Sequence, residues 1–209
     1  MMSWTHAHDV NDADGSSQVL AVAAGAHGFV SAGSHNSQPT VWTTADGRAW
    51  RTIILPPPAG ASAAALQQVA INGDRVVALG LATTGTGHAV GSATGTAPGA
   101  VPFAELSADS GVTWQQVPFS SPGPYTSFSA LTPNAAGFTA AGLFGPPGQQ
   151  DVALWASADG ASWKPYQSGG GSGAWQIDTL ARSDAEAGGI GTILTQQSQQ
   201  TVTFTLPPR

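Results

Sequence analysis

Cysteine is absent from the 209 residues. That absence removes disulfides, thiol catalysis and Cys-ligated zinc together, and it leaves the redox compartment undetermined. Charge is scarce: 9% of residues are charged, against about 25% in an average soluble protein. Lys164 is the only lysine and the five arginines are scattered, with a net charge of -6. A chain without clustered Lys and Arg cannot gain from counterion release, so nucleic acid and anionic membrane are excluded as expected partners. Apolar runs of about 18 residues, the length that spans a bilayer, are missing as well. Met1 to His6 shows neither the basic stretch nor the apolar run of a secretory signal. Helix-period segments are also lacking; the best candidate, Ala61 to Val69, is short and lies between turn signals. A surface wetted mainly by Ser, Thr, Gln, Asn and backbone suits a loop-rich all-β protein. Low lysine with abundant Ala, Gly, Thr and Gln leans toward a secreted, extracellular setting.

What the chain does contain is a repeat. Thr44-Ala-Asp46-Gly47-Arg-Ala-Trp50, Ser107-Ala-Asp109-Ser-Gly111-Val-Thr113-Trp114 and Ser157-Ala-Asp159-Gly160-Ala-Ser162-Trp163 line up, the first and third one residue shorter in the turn. A Ser or Thr hydroxyl and an Asp carboxylate two residues on can hold the N–H groups of a tight turn, where Gly supplies a positive φ. The Trp that follows buries a large ring against the hairpin so formed. The middle segment fits Ser-x-Asp-x-Gly-x-Thr-Trp in full, and the set resembles the Asp-box, or bacterial neuraminidase repeat, of sialidase-like β-propellers. That resemblance covers nearly the whole chain. It implies four-stranded antiparallel blades with structural boxes on the face opposite the active site.

A second landmark fixes the period. From Trp4, Trp50, Trp114 and Trp163 to the next small-residue strand end at Gly33, Gly80, Gly142 and Gly191 is 29, 30, 28 and 28 residues. The return leg to the next Trp varies, at 17, 34 and 21 residues, so insertions collect in one loop of one blade, Thr83 to Ala100. The chain therefore reads as a single all-β domain over 1–209, a propeller of four four-stranded blades at about 18–55, 65–119, 126–168 and 173–209. The fourth blade has three strands, Trp175 to Arg182, Ala187 to Leu194 and Thr201 to Leu206. Ser3-Trp4 reads as the tail of a box whose first half is absent. Residues 3–9 are accordingly expected to close the last blade as its outer strand. The alternative is the C-terminal part of a six- or seven-bladed propeller.

The resemblance also implies a test for sialidase activity. Those enzymes use three arginines, a Tyr nucleophile paired with Glu, an Asp acid/base and an Arg-Ile-Pro signature. Arg-Ile-Pro is missing, Arg48, Arg51 and Arg75 fall in a box, on an outer strand and in a turn, and Tyr125 and Tyr166 have no Glu nearby in sequence. No catalytic set is assigned. Glu105 replaces the Trp42 and Trp155 of sister blades and is expected as an exposed strand residue. His6-Ala-His8 alternates toward one side of a strand, a metal pair or two solvated imidazoles. Asp9, Asp12 and Asp14 give calcium-like oxygen density without EF-hand spacing, and a polar turn is the other reading. No cofactor is otherwise expected. His88 in the long insertion, Tyr125, Asp178 and Arg182 are the candidate binding residues. The expected function is a non-catalytic binding or scaffold propeller recognising a protein, peptide or glycan through its loop face. The alternative is a divergent sialidase-like glycoside hydrolase. A monomer is expected, with edge pairing of two copies as the alternative.

Overall fold

The computed structural model describes residues 16–84, 100–121, 126–146, 150–167, 174–182, 187–194 and 199–206. Fifteen strands and no helix occur among them. They form four consecutive antiparallel meanders, each starting at an inner strand. Blade 1 is β1 (Ser17–Gly25), β2 (Gly28–His35), β3 (Gln38–Thr44) and β4 (Arg51–Ile54). Blade 2 is β5 (Ala61–Asn72), β6 (Arg75–Thr84), β7 (Ala100–Ser107) and β8 (Gln115–Val117). Blade 3 is β9 (Ser127–Asn134), β10 (Gly137–Phe144), β11 (Asp151–Ser157) and β12 (Lys164–Gln167). Blade 4 contributes β13 (Ala174–Arg182), β14 (Ala187–Leu194) and β15 (Gln199–Leu206). Blades 1 to 3 are thus present as four-stranded sheets, and blade 4 as the three strands expected for it between 173 and 209. The expected outer strand of blade 4, residues 3–9, lies outside the described residues.

Alternation along the middle strands sorts each blade into two buried faces, as a layered propeller requires. The trailing face of blade 1, with Val30, Ala32 and Val41, packs on the leading face of blade 2, with Leu66, Val76, Ala78 and Phe103. The trailing face of blade 2, with Val77, Leu79, Ala104 and Leu106, packs on Phe128, Phe138, Ala140 and Trp155 of blade 3. Phe119, just past β8, is held among Phe128, Trp155 and Trp163, with ring centroids 5.2, 5.5 and 5.5 Å away. Contacts of that geometry add about 0.5–1.5 kcal/mol each beyond area burial. Polar ties run between the same blades: Asn72 Nδ2 donates to the carbonyls of Asn134 and Gly137 at 3.1 and 3.0 Å.

Every inner strand carries a β-bulge at the same height. The ladder passes over Leu20, Gln67, Ser129 and Asp178, each directly after the residue paired with Gly33, Gly80, Gly142 or Gly191. The bulge explains the landmark glycines. A Cβ at Gly33 or Gly142 would stand 1.8 Å from the carbonyl oxygen of Gln18 or Ser127. At Gly80 it would stand 2.3 Å from that of Ala65. The close approach of a bulged strand is what demands a residue without a side chain.

Candidate functional site

The three Ser/Thr-x-Asp turns join the third and fourth strands of blades 1 to 3. In the second, Ser107 Oγ donates to Asp109 Oδ1 at 2.8 Å and accepts from Gly111 N at 2.8 Å. Asp109 also accepts from Thr113 N at 2.8 Å and from Thr113 Oγ1 at 2.6 Å. Those donors hold the Asp109 carboxyl down at about 2. Thr44 and Asp46 repeat the pattern: Gly47 N donates to Thr44 Oγ1 at 3.1 Å and Arg48 N to Asp46 Oδ1 at 2.9 Å. Ser157 and Asp159 do so through Gly160 N, Ala161 N and Ser162 N. Both carboxyls are lowered, chiefly by the backbone donors at Arg48 and Ser162. Gly47, Gly111 and Gly160 have φ of 75, 90 and 78°, the left-handed region that a side chain disfavours. Trp114 and Trp163 lock the turns by donating Nε1–H to the carbonyls of Gly111 and Gly160 at 3.1 and 3.0 Å. Trp50 occupies the equivalent place and is half-buried. These aspartates are spent on turn geometry.

Beside the first two turns lies an open cleft of about 510 Å³. It is formed by the β1–β2 and β5–β6 turns together with the turn segments after β3 and β7, all on one side of the molecule. Phe29 and Val112 line it, 41% and 55% exposed. Two of its lining residues, His27 and Ser110, meet at Asp74 beside it: Asp74 Oδ1 lies 3.1 Å from His27 Nε2 and accepts from Ser110 Oγ at 3.2 Å. The backbone cooperates, since Ser110 N donates to the Asp74 carbonyl at 2.8 Å. Ser110 holds a φ of 60°, uncommon for a residue with a side chain. An exposed aromatic next to a donor and acceptor cluster on a rigid frame can take an amphipathic ligand. Sequence reasoning missed His27, Asp74 and Ser110. The signal was present, because the repeat places first-to-second strand turns on the same face as the Asp turns.

The expected site residues fall elsewhere. His6, His8, Asp9, Asp12, Asp14, His88 and Tyr125 lie outside the described residues, as do residues 85–99 of the long insertion. Asp178 and Arg182 sit on β13, Asp178 as the bulged residue and Arg182 paired with Ala187 at the strand end. The structure thus sets Asp178 at the height of Leu20, Gln67 and Ser129 and does not join it to the cleft. Arg48, Arg51 and Arg75 are exposed.

Glu105 departs from expectation: it is 1% exposed, sealed on the leading face of blade 2 where Trp42 and Trp155 stand in their own blades. Blade stacking overrides strand amphipathicity here, because both faces of a middle strand are interior. Burial raises its carboxyl to about 7, and an amide donation from Gln116 Nε2 at 3.4 Å pulls the other way.

Neither a known protein family nor a curated protein matches the chain. Solved structures do. A Trypanosoma rangeli sialidase in complex with 2,3-difluoro-KDN is similar over 91% of this chain and 35% of its own, with TM-score 0.59 and 13% identity. A second structure titled Trypanosoma rangeli sialidase gives TM-score 0.57 and 11% identity over 93% of this chain and 38% of its own. YCF48 bound to D1 peptide gives TM-score 0.49 and 15% identity over 88% of this chain and 53% of its own. The chain thus spans about a third to a half of the proteins it resembles. At such identities the likeness concerns the fold, and the fold is a sialidase-like β-propeller of antiparallel blades.

Proposed function

We propose that the chain is a non-catalytic binding or scaffold propeller that recognises a peptide, protein or glycan. The cleft beside Phe29 carries this reading: it offers exposed apolar surface, a hydroxyl, a carboxylate and an imidazole on an immobile frame, and binding sites are commonly built so. The Asp turns serve as Asp-boxes that hold the frame, and the second also presents Ser110 and Val112 to the cleft. Weak calcium binding at Asp9, Asp12 and Asp14 and recognition through residues 85–99 are the competing placements of the site, tested by calorimetry with and without calcium and by deletion of 85–99.

The test is a screen of peptide and glycan arrays with the full chain, followed by calorimetry on the best ligand. Phe29→Ala and Asp74→Ala are each expected to weaken binding at least tenfold, while deletion of 85–99 leaves it unchanged. The reverse pattern moves recognition to the loop face. The second reading, a divergent glycoside hydrolase, is favoured by the register of Asp178, a bulged inner-strand carboxylate of the kind found near active sites. Turnover of chromogenic glycosides that Asp178→Asn abolishes would replace the binding proposal.

A further inference from the structure

Donors and acceptors are unequally available in the cleft beside Phe29. Of its three lining hydroxyls, two are committed as donors: Thr44 Oγ1 donates to Asp46 Oδ1 at 3.1 Å and Ser110 Oγ to Asp74 Oδ1 at 3.2 Å. Two lining amides are committed as well, Ser110 N to the Asp74 carbonyl at 2.8 Å and Val112 N to the Asp109 carbonyl at 3.3 Å. What stays open is an acceptor. Asp74 Oδ1 serves both His27 and Ser110, and Asp74 Oδ2 has no hydrogen-bond partner among the described residues.

That carboxylate is held in place although it is exposed. The side chains of His27 and Asp74 are 64% and 71% accessible, yet two bonds join Asp74 to Ser110, one through the backbone and one through the side chains. A carboxylate oriented before a ligand arrives loses less freedom on binding. The charges around it agree. Lys and Arg are absent from the lining, Asp109 on the wall is ionised at neutral pH because its donors hold it at about 2, and the net charge of the chain is -6. Arg48 is engaged electrostatically with Asp46, and Arg75 is exposed outside the lining.

Phe29, Ile71, Val76 and Val112 supply the apolar part of the lining. Arginine and lysine lay an apolar stem on such a surface while the charged head reaches an acceptor at its edge. An acidic ligand would face two carboxylates. A sugar, whose hydroxyls both donate and accept, would find its donors already spent.

We infer that this cleft selects a basic peptide segment, an Arg or Lys laying its stem against Phe29 and Val112 and its cationic head on Asp74 Oδ2. The inference rests on the cleft being the recognition site proposed above and adds the class of side chain that it takes.

The probe is acetyl-Ala-Leu-Arg-Leu-Ala-amide, compared with analogues carrying Lys, citrulline or Glu at the centre and with chitotriose. Each is titrated into the isotopically labelled full chain and read from amide chemical shifts. Citrulline keeps the shape of arginine without its charge. The Arg and Lys peptides are expected to move the amides of His27, Gly73, Ser110 and Val112 and to bind about tenfold more tightly than the citrulline peptide, with no response to the Glu peptide. In Asp74→Asn the Arg and citrulline peptides are expected to bind alike, and citrulline binding equal to that of the unaltered protein reports an intact cleft. An arginine preference retained in that variant overturns the inference. A response at the same amides to the citrulline peptide, the Glu peptide or chitotriose that equals the response to arginine also overturns it, and leaves the cleft standing as a binding site of another selectivity. Shifts confined to other amides, or none with any probe, overturn the inference and the proposed site together.

Discussion

Glu105 makes the stability of this propeller depend on pH in an unusual direction. The folded carboxyl titrates near 7 against an ordinary 4.5, first because burial strips its solvent. A raised acid pKa means that the neutral form is the one the fold tolerates. The associated stability is therefore fully present below about 4.5, declines as pH rises, and is gone above about 7. The distance from 4.5 to about 7, at about 1.4 kcal/mol per pH unit, corresponds to about 3 kcal/mol, and partial relaxation around the charge brings it to about 2–3. Glu105→Gln keeps the shape and cannot ionise. Urea unfolding followed by tryptophan fluorescence at pH 4.5, 6, 7 and 8 measures both proteins. They are expected to be about equally stable at pH 4.5, with the variant about 2–3 kcal/mol more stable at pH 8 and unchanged in m-value. Parallel stability curves across this range would refute the burial of an ionisable group at the blade interface.

Three further outcomes follow from the same geometry. Gly142→Ala puts a Cβ 1.8 Å from the Ser127 carbonyl, and chemical denaturation is expected to show a loss of about 4 kcal/mol or failure to fold, with Gly73→Ala, where a Cβ meets nothing within 4 Å, far milder. Asp109 is lowered to about 2 by Thr113, its largest cause, so its stabilisation is present above its ordinary range and is lost as pH falls toward 2; Asp109→Asn is expected to flatten the acid side of a melting-temperature profile. Gly160→Ala combines a left-handed φ of 78° with a Cβ 2.6 Å from Val77 Cγ2, and is expected to cost about 2–3 kcal/mol by denaturant titration.

The blades were legible because their chemistry is local. A hydroxyl, a carboxylate two residues later, a glycine and a tryptophan specify one hairpin turn whatever surrounds it, and the Trp-to-Gly spacing fixes where the bulged strand comes close. Strand limits followed within a few residues: Trp175 to Arg182 was expected where β13 runs Ala174–Arg182. Glu105 was misread because strand alternation cannot report that both faces of a middle strand are stacked on other blades. The cleft was missed for a related reason. His27, Asp74 and Ser110 are 36 to 47 residues apart in pairs that matter, in turns that individually look like polar connectors. Only the superposition of blades brings them to one rim.

Internal repetition also supplies a reference that a single structure ordinarily lacks, since each position has counterparts built from the same backbone. Where counterparts agree, the residue serves the blade: Gly33, Gly80 and Gly142 all meet a bulged strand, and the three Asp turns spend their carboxylates identically. Where they disagree, the blade frame does not require the difference, and another cause must act on that position. Phe138 is buried by blade 2, so the exposure of Phe29 reflects what lies beside blade 1 and not what a propeller strand needs. Trp155 finds the Ser120 carbonyl whereas the Trp42 indole N–H is buried without an acceptor, so the blade frame itself does not supply one. Ser129 and Gln67 share the bulge with Asp178, so a carboxylate there is a choice specific to blade 4. A buried acid in the tryptophan position of blade 2 destabilises the fold at neutral pH by a few kcal/mol, on the order of a quarter of a typical domain's stability. That cost ties the blade 1–blade 2 interface, which also floors the Phe29 cleft, to the protonation of one residue.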